Sequence, residues 1–146
     1  MQSLVIRALG GLVVTGVSLS VVATPAAAAE SSTFRLAASG AVGYGTYDRM
    51  MGIPERPVPP IRIAGTLVGR SLFRCAVVQV AGNGPADGIE WRTIGMQCGR
   101  GRTDFRIQTS YLFGGAKPPV RLCSGWTKSQ AERGRRCDTH RPPADR

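Results

Sequence analysis

The segment Phe105-Arg106-Ile107-Gln108-Thr109-Ser110-Tyr111-Leu112-Phe113 puts Phe105, Ile107, Thr109, Tyr111 and Phe113 on one parity and Arg106, Gln108 and Ser110 on the other. Successive side chains of a strand point to opposite faces, so this alternation predicts a strand with one dry face and one wet face. Reading upstream, Gly99-Arg100-Gly101-Arg102 forms a turn, and Ile89–Cys98 is the next strand, with Ile94, Met96 and Cys98 on one face and Trp91, Thr93 and Gln97 on the other. The loop Gly82-Asn83-Gly84-Pro85-Ala86-Asp87-Gly88 separates it from Phe73–Val80, a nearly continuous apolar run with a central position in a sheet. Before that, Ile61, Ile63 and Leu67 share one parity and Arg62 and Thr66 the other. Downstream, Gly114-Gly115 and Pro118-Pro119 interrupt the chain ahead of a segment from Val120 to Trp126. Between 61 and 126 no window holds a helical period. Short apolar runs divided by turn residues are the layout of an antiparallel all-β domain, so the expected fold is a small β-sandwich over residues 61–137.

The flanks read differently. Arg7 is the last charge before an uncharged run from Ala8 to Ala29, in which Pro25 precedes Ala26-Ala27-Ala28-Ala29. A basic start, an apolar centre and small residues before a cut are the signature of a secretory signal peptide, here 1–29, with Glu30 opening the mature chain. An uncleaved anchor is the competing reading; the run is long enough to span, but it is rich in small residues and lacks a basic stop-transfer flank. Cleavage leaves 117 of the 146 residues, enough for one domain and too few for two. It removes one arginine from a chain of net charge +10, and the remainder is still strongly basic. Residues 30–60 hold Gly40, Gly43, Gly45, Pro54, Pro57, Pro59 and Pro60 and read as an extended segment ahead of the domain, whose packing on it is left open, with a short strand at Ala41–Tyr47 as its one candidate element. Residues 138–146 read as a flexible basic tail.

Export gives the cysteines their meaning. Cys75, Cys98, Cys123 and Cys137 are even in number and follow the signal, so two disulfides are expected. Of three connectivities, Cys75–Cys98 with Cys123–Cys137 is preferred, each closed loop contributing about 3 kcal/mol in the chain-entropy picture. The other pairings close loops of similar entropy, and only strand geometry separates them. A zinc site lacks a Cys-x-x-Cys pair and has a single histidine, His140, to draw on. Neither a metal nor a cofactor is expected.

The order Ala64-Gly65-Thr66-Leu67, Cys75, Trp91, Cys98 before a glycine turn, Val120-Arg121-Leu122-Cys123 and a closing Cys137 resembles small exported actinobacterial proteins without a settled function. The likeness covers about residues 61–137 and is carried most by the Val-Arg-Leu-Cys strand. It implies a compact disulfide-linked β-sandwich and brings no catalytic residues with it. The tryptophan usual after the last cysteine is replaced by Asp138-Thr139.

Catalysis needs an activated nucleophile or a positioned acid and base. Ser124 sits in Cys-Ser-Gly-Trp, without a Gly-x-Ser-x-Gly elbow, and reads as a turn residue. Asp87 and Glu90 flank Gly88 at a strand entrance, where a turn former and a solvated carboxylate are the ordinary roles. Gly82-Asn83-Gly84 is followed by Pro85, which lacks the N–H that an anion nest uses. An enzymatic alternative is a small secreted hydrolase such as a ribonuclease, with Glu90 as base and His140 as acid. A protease inhibitor is a further alternative, although the cysteine spacings do not match the exported subtilisin-inhibitor pattern. The leading expectation is a secreted, noncatalytic binding protein for anionic cell-envelope or extracellular polymers. Its candidate contacts are Arg133, Arg135 and Arg136 beside Cys137, with Arg100, Arg102 and Arg106 on the preceding hairpin. Trp91 is expected in the core, while Trp126 is open to either core or ligand.

Overall fold

The computed structural model describes residues 31–55 and 58–143; the expected signal peptide and the last three residues of the expected tail lie outside them. The described strands are β1 Ser31–Ala38, β2 Ala41–Arg49, β3 Ile61–Gly69, β4 Cys75–Asn83, β5 Ile89–Cys98, β6 Gly101–Thr109, β7 Val120–Gly125 and β8 Cys137–His140, with a short helix α1, Lys128–Glu132, between the last two. They form two antiparallel sheets, β1-β2-β3-β6 and β5-β4-β7-β8. Phe34, Leu36, Tyr47, Ile61, Ile63, Leu67 and Phe105 of the first sheet meet Ala76, Val78, Val80, Val120 and Leu122 of the second in one core. The expected all-β sandwich is therefore the fold, and the parities read for β3 and for Phe105 and Ile107 are those of the core face.

β4 is apolar on both faces because both are covered. Its Ala76, Val78 and Val80 face the first sheet, while Cys75 and Val77 join Cys123 and Ala131 in a smaller cluster beneath α1. Both disulfides, Cys75–Cys98 and Cys123–Cys137, link residues directly opposite in the register of neighbouring strands, β4 with β5 and β7 with β8. That is the connectivity preferred from the sequence.

Four expectations are corrected. First, most of 30–60 belongs to the domain: β1 pairs with β2 from Ser31↔Asp48 to Ala38↔Ala41, and β2 pairs with β3 along its whole length. The glycines that weakened the strand reading are the reason β2 fits. Gly45 stands opposite Gly65, Phe34 is the neighbour of Gly45 on β1, and Phe105 is the neighbour of Gly65 on β6. The two rings close over the glycine pair and stack with centroids 6.5 Å apart. A Cβ on Gly45 would lie 2.7 Å from the Phe34 ring, and one on Gly65 would lie 2.7 Å from the Phe105 ring.

Second, residues 138–140 are not tail but part of β8, an edge strand on β7. Third, the register between β4 and β5 slips at Val78/Gln79, so Ile94 is an extra residue on β5. This bulge inverts the parity beyond it: Ile94 packs on the core, whereas Trp91 stacks under Arg121, whose guanidinium carbon lies 4.0 Å from the ring centroid. Fourth, β6 runs Gly101–Thr109, so it begins inside the expected turn and stops before Tyr111. The chain at Gly99-Arg100 is a corner that carries it from the second sheet to the first, not a hairpin.

At the other side of the sandwich β8 meets β1. The Asp138 carboxylate accepts a hydrogen bond from the Ala37 amide at 2.9 Å, and His140 packs against the rings of Phe34 and Tyr47, each with centroids 5.9 Å apart. Tyr47 donates a buried hydrogen bond to the Pro118 carbonyl at 3.1 Å. Burial pushes its hydroxyl well above the ordinary tyrosine range. A group whose folded pKa is raised lends stability that is present below its unfolded pKa, about 10, and fades as pH climbs above it. Phenolate absorbance should therefore show Tyr47 ionising only together with alkaline unfolding. Tyr47→Phe should cost about 1–2 kcal/mol near neutral pH by stranding the carbonyl, and should flatten the alkaline loss. A phenolate signal from Tyr47 in the folded protein would contradict this.

Candidate anion-binding site

Strand order sets which connections share an end. The β1–β2 turn at Gly40, the β3–β4 connection Arg70–Arg74, the corner at Gly99-Arg100, the end of β7 and the start of β8 all lie at one end of the sandwich. Hydrogen bonds tie them together: Arg70 and Ser71 donate backbone N–H groups to the Gly40 carbonyl, at 2.8 and 3.2 Å, and Gly99 donates to the Arg74 carbonyl at 2.9 Å.

At this end a cavity of about 320 Å³ is lined by Arg74, Ser124, Gly125, Trp126, Gln130, Arg133, Arg135 and Arg136. Register builds it. Cys75 pairs with Gly125, which leaves Arg74 across from Trp126, and the Arg74 guanidinium lies 4.2 Å from that ring's centroid. Thr127 then caps α1, its hydroxyl accepting the Gln130 amide at 3.3 Å, while the Gln130 side chain accepts the Trp126 amide at 3.0 Å. Gly134, with φ of +68°, reverses the chain after α1 over the Arg121 guanidinium. The left-handed region costs glycine nothing and other residues something. Arg135 and Arg136 thus enter the cavity wall just before Cys137 is fastened to Cys123. The Ser124 amide donates to the Arg136 carbonyl at 3.1 Å and closes the seam.

Beneath this wall Gln79, 3% exposed, holds β4, β7 and α1 together. Its amide nitrogen donates to Thr93 Oγ1 and to the Glu132 carbonyl, both at 3.2 Å, and its oxygen accepts Arg121 Nε at 2.9 Å. Partial burial lowers the Arg121 pKa, and the planar stack on Trp91 accommodates the charge there.

The electrostatics of the cavity follow from what is missing beside it. Among the described residues no carboxylate pairs with Arg74, Arg133, Arg135 or Arg136; Glu132 pairs with Lys128 at 3.8 Å. Asp48, Glu55, Asp87 and Glu90 sit at the other end or in the connections there. The Ser124 hydroxyl, on a residue only 4% exposed, is buried without a hydrogen-bond partner.

Of the arginines expected to act together, the structure brings Arg133, Arg135 and Arg136 into one wall. Arg100 lies at the same end outside the cavity, its Nε donating to the Arg70 carbonyl at 3.4 Å. Arg102 and Arg106 do not belong to this group: they lie on the outer face of the first sheet. There Arg102 contacts Asp104 at 3.5 Å, and Asp104 is held below its ordinary pKa first by the Thr66 hydroxyl at 2.6 Å and then by Arg102. Arg74 and Trp126 complete the site. No sequence motif marks Arg74; only strand register places it opposite Trp126.

The residues of the hydrolase reading stay apart. Glu90 is exposed on β5 and His140 sits on β8, at opposite edges of one four-stranded sheet. Three strand spacings, roughly 14 Å, separate those edges. Ser124 is buried in β7, not on a turn, and Asp87 adopts a positive φ of 58° in the β4–β5 turn. Among the described residues no group of three or more His, Cys, Asp or Glu side chains could hold a metal ion, and no helix is long and apolar enough to cross a membrane.

Searches of protein-family models, of curated proteins and of solved structures find no match to this chain.

Proposed function

We propose that the protein is an exported, noncatalytic binding protein that holds anionic groups of the cell envelope or of extracellular polymers in the arginine cavity. One observation carries this reading: Arg74, Arg133, Arg135 and Arg136 line a single concavity that no described carboxylate neutralises. Four guanidinium groups kept close together repel one another, and a fold that tolerates this has a natural partner in an anion that relieves it. Guanidinium forks suit phosphate, sulfate and carboxylate oxygens, and the Trp126 face adds a surface for a sugar ring or an acyl chain. Two disulfides and a signal-like leader suit an oxidising compartment outside the cytosol.

Retention on heparin tests the reading. If four charges are neutralised, affinity should fall roughly 50-fold between 50 and 200 mM salt. The combined Arg133→Gln, Arg135→Gln, Arg136→Gln variant should lose most of the binding and most of the salt dependence, while Arg102→Gln with Arg106→Gln should change little. Retention that ignores salt, or a larger loss from the second pair than from the first three, would overturn it.

A further inference from the structure

The β3–β4 connection beside the cavity carries a feature that a soluble polyanion would leave unused. It is firmly held: the Arg70 and Ser71 amides bond the Gly40 carbonyl, the Phe73 amide donates to Ser71 Oγ at 3.3 Å, and the Arg74 carbonyl accepts from Gly99. Yet this ordered loop presents Leu72 at 59% and Phe73 at 76% exposure, and Trp126, 59% exposed, flanks it across Arg74. Three large apolar side chains thus stand at the tip of one end of the sandwich. Arg74, Arg133, Arg135 and Arg136 line the cavity with Trp126, and Arg100 lies at the same end with its Nε on the Arg70 carbonyl.

We infer that this end docks on an anionic lipid bilayer, with Leu72, Phe73 and Trp126 entering the interface while the arginines engage headgroup phosphates. The inference rests on the anion-binding reading of the cavity and names its partner. The apolar tip decides between partners. A highly charged soluble polymer gives Leu72 and Phe73 nothing to bury against, whereas a membrane interface takes apolar side chains below the headgroups and cationic ones level with them. Tryptophan at the boundary suits the same depth, since its ring is apolar and its N–H reaches polar groups. Anionic lipid also supplies the charge complement, because each arginine near such a surface adds to the attraction. The loop's hydrogen bonds keep the tip in place before contact, so little ordering is needed on docking.

The experiment uses exported protein recovered with its disulfides intact, so that wild type and variants share the same amino terminus. Binding is measured to vesicles of equimolar phosphatidylglycerol and phosphatidylcholine, to vesicles of phosphatidylcholine alone, and to heparin. The expected result is binding to the anionic vesicles only, with a blue shift of Trp126 emission read in a Trp91→Phe background. Leu72→Ser with Phe73→Ser should weaken vesicle binding roughly tenfold to a hundredfold and leave heparin affinity unchanged; both side chains are exposed, so the fold should tolerate their loss. Heparin binding without vesicle binding, or vesicle binding indifferent to Leu72→Ser with Phe73→Ser, would overturn the lipid inference and leave the arginine cavity standing. Binding to neither anionic vesicles nor heparin would remove both.

Discussion

Gly65→Val should leave little folded protein. Any side chain at this position must enter the space where the Phe105 ring lies 2.7 Å from the would-be Cβ, and the Tyr44 carbonyl and the Cα of Gly45 crowd the same site. Phe105 has no free direction, because its ring already stacks on Phe34 over the glycine pair. Overpacking of a tight core costs about 1–3 kcal/mol where side chains can shift; here the backbone of a central strand would also have to move. A loss above about 3 kcal/mol is a large part of the 5–15 kcal/mol available to a domain of this kind. Urea unfolding of the oxidised protein measures it. Gly82→Ala is the control, since its Cβ would meet only the Glu90 carbonyl at 3.8 Å, and it should fall within about 1 kcal/mol of wild type. Equal stability of Gly65→Val and Gly82→Ala would mean that the ring pair does not close over β2 and β3 as described.

Removing the Cys123–Cys137 bond by paired alanine substitutions has the second largest expected effect, about 2–5 kcal/mol, and it should also reach the site. β8 has four residues and pairs within its sheet with β7 alone, along one edge. The disulfide fastens its first residue, and Arg135 and Arg136 immediately precede that residue. Without the bond the seam at Ser124 and Arg136 should fray, the arginine wall should spread, and heparin affinity should drop along with the unfolding midpoint. The bond between Cys75 and Cys98 joins strands of nine and ten residues that pair over most of their length, so its paired removal should lower stability with a smaller effect on affinity. If both double variants kept full affinity, β8 would not depend on the disulfide for its place.

These contrasts explain which parts of the fold were legible in the sequence. The alternation around Phe105 and Ile107, and that around Ile61 and Ile63, survive because each strand has one core face and one wet face, which is the condition for a period of two. The faces of β5 are not legible because Ile94 is a bulge: one extra residue turns the parity over, and nothing local in Ile89–Cys98 announces it. β2 is legible as the candidate strand Ala41–Tyr47, weakened by glycine at 43 and 45, whereas nothing in the sequence marks β1; what licenses Gly45 is a pair of rings from β1 and β6, the latter sixty residues away in the chain. β8 is polar in composition, and its order comes from a sulfur bridge, a carboxylate on Ala37 and a histidine set against two rings. The site divides in the same way. Arg133, Arg135 and Arg136 are adjacent in the chain and could be grouped by eye, whereas Arg74 joins them only because Cys75 faces Gly125. Arg102 and Arg106 would join them only if Gly99-Arg100 closed a hairpin, and the corner there sends them to the other sheet.

The direction of the two outermost strands has a practical outcome. β1 begins at Ser31 beside Asp48, and β8 finishes at His140 beside Val120, so both run away from the arginines when followed outward along the chain. An affinity handle, a fluorophore or a tether attached beyond either of these residues would sit at the remote side of the molecule. Immobilised that way, the protein would offer its basic face freely to whatever is passed over it.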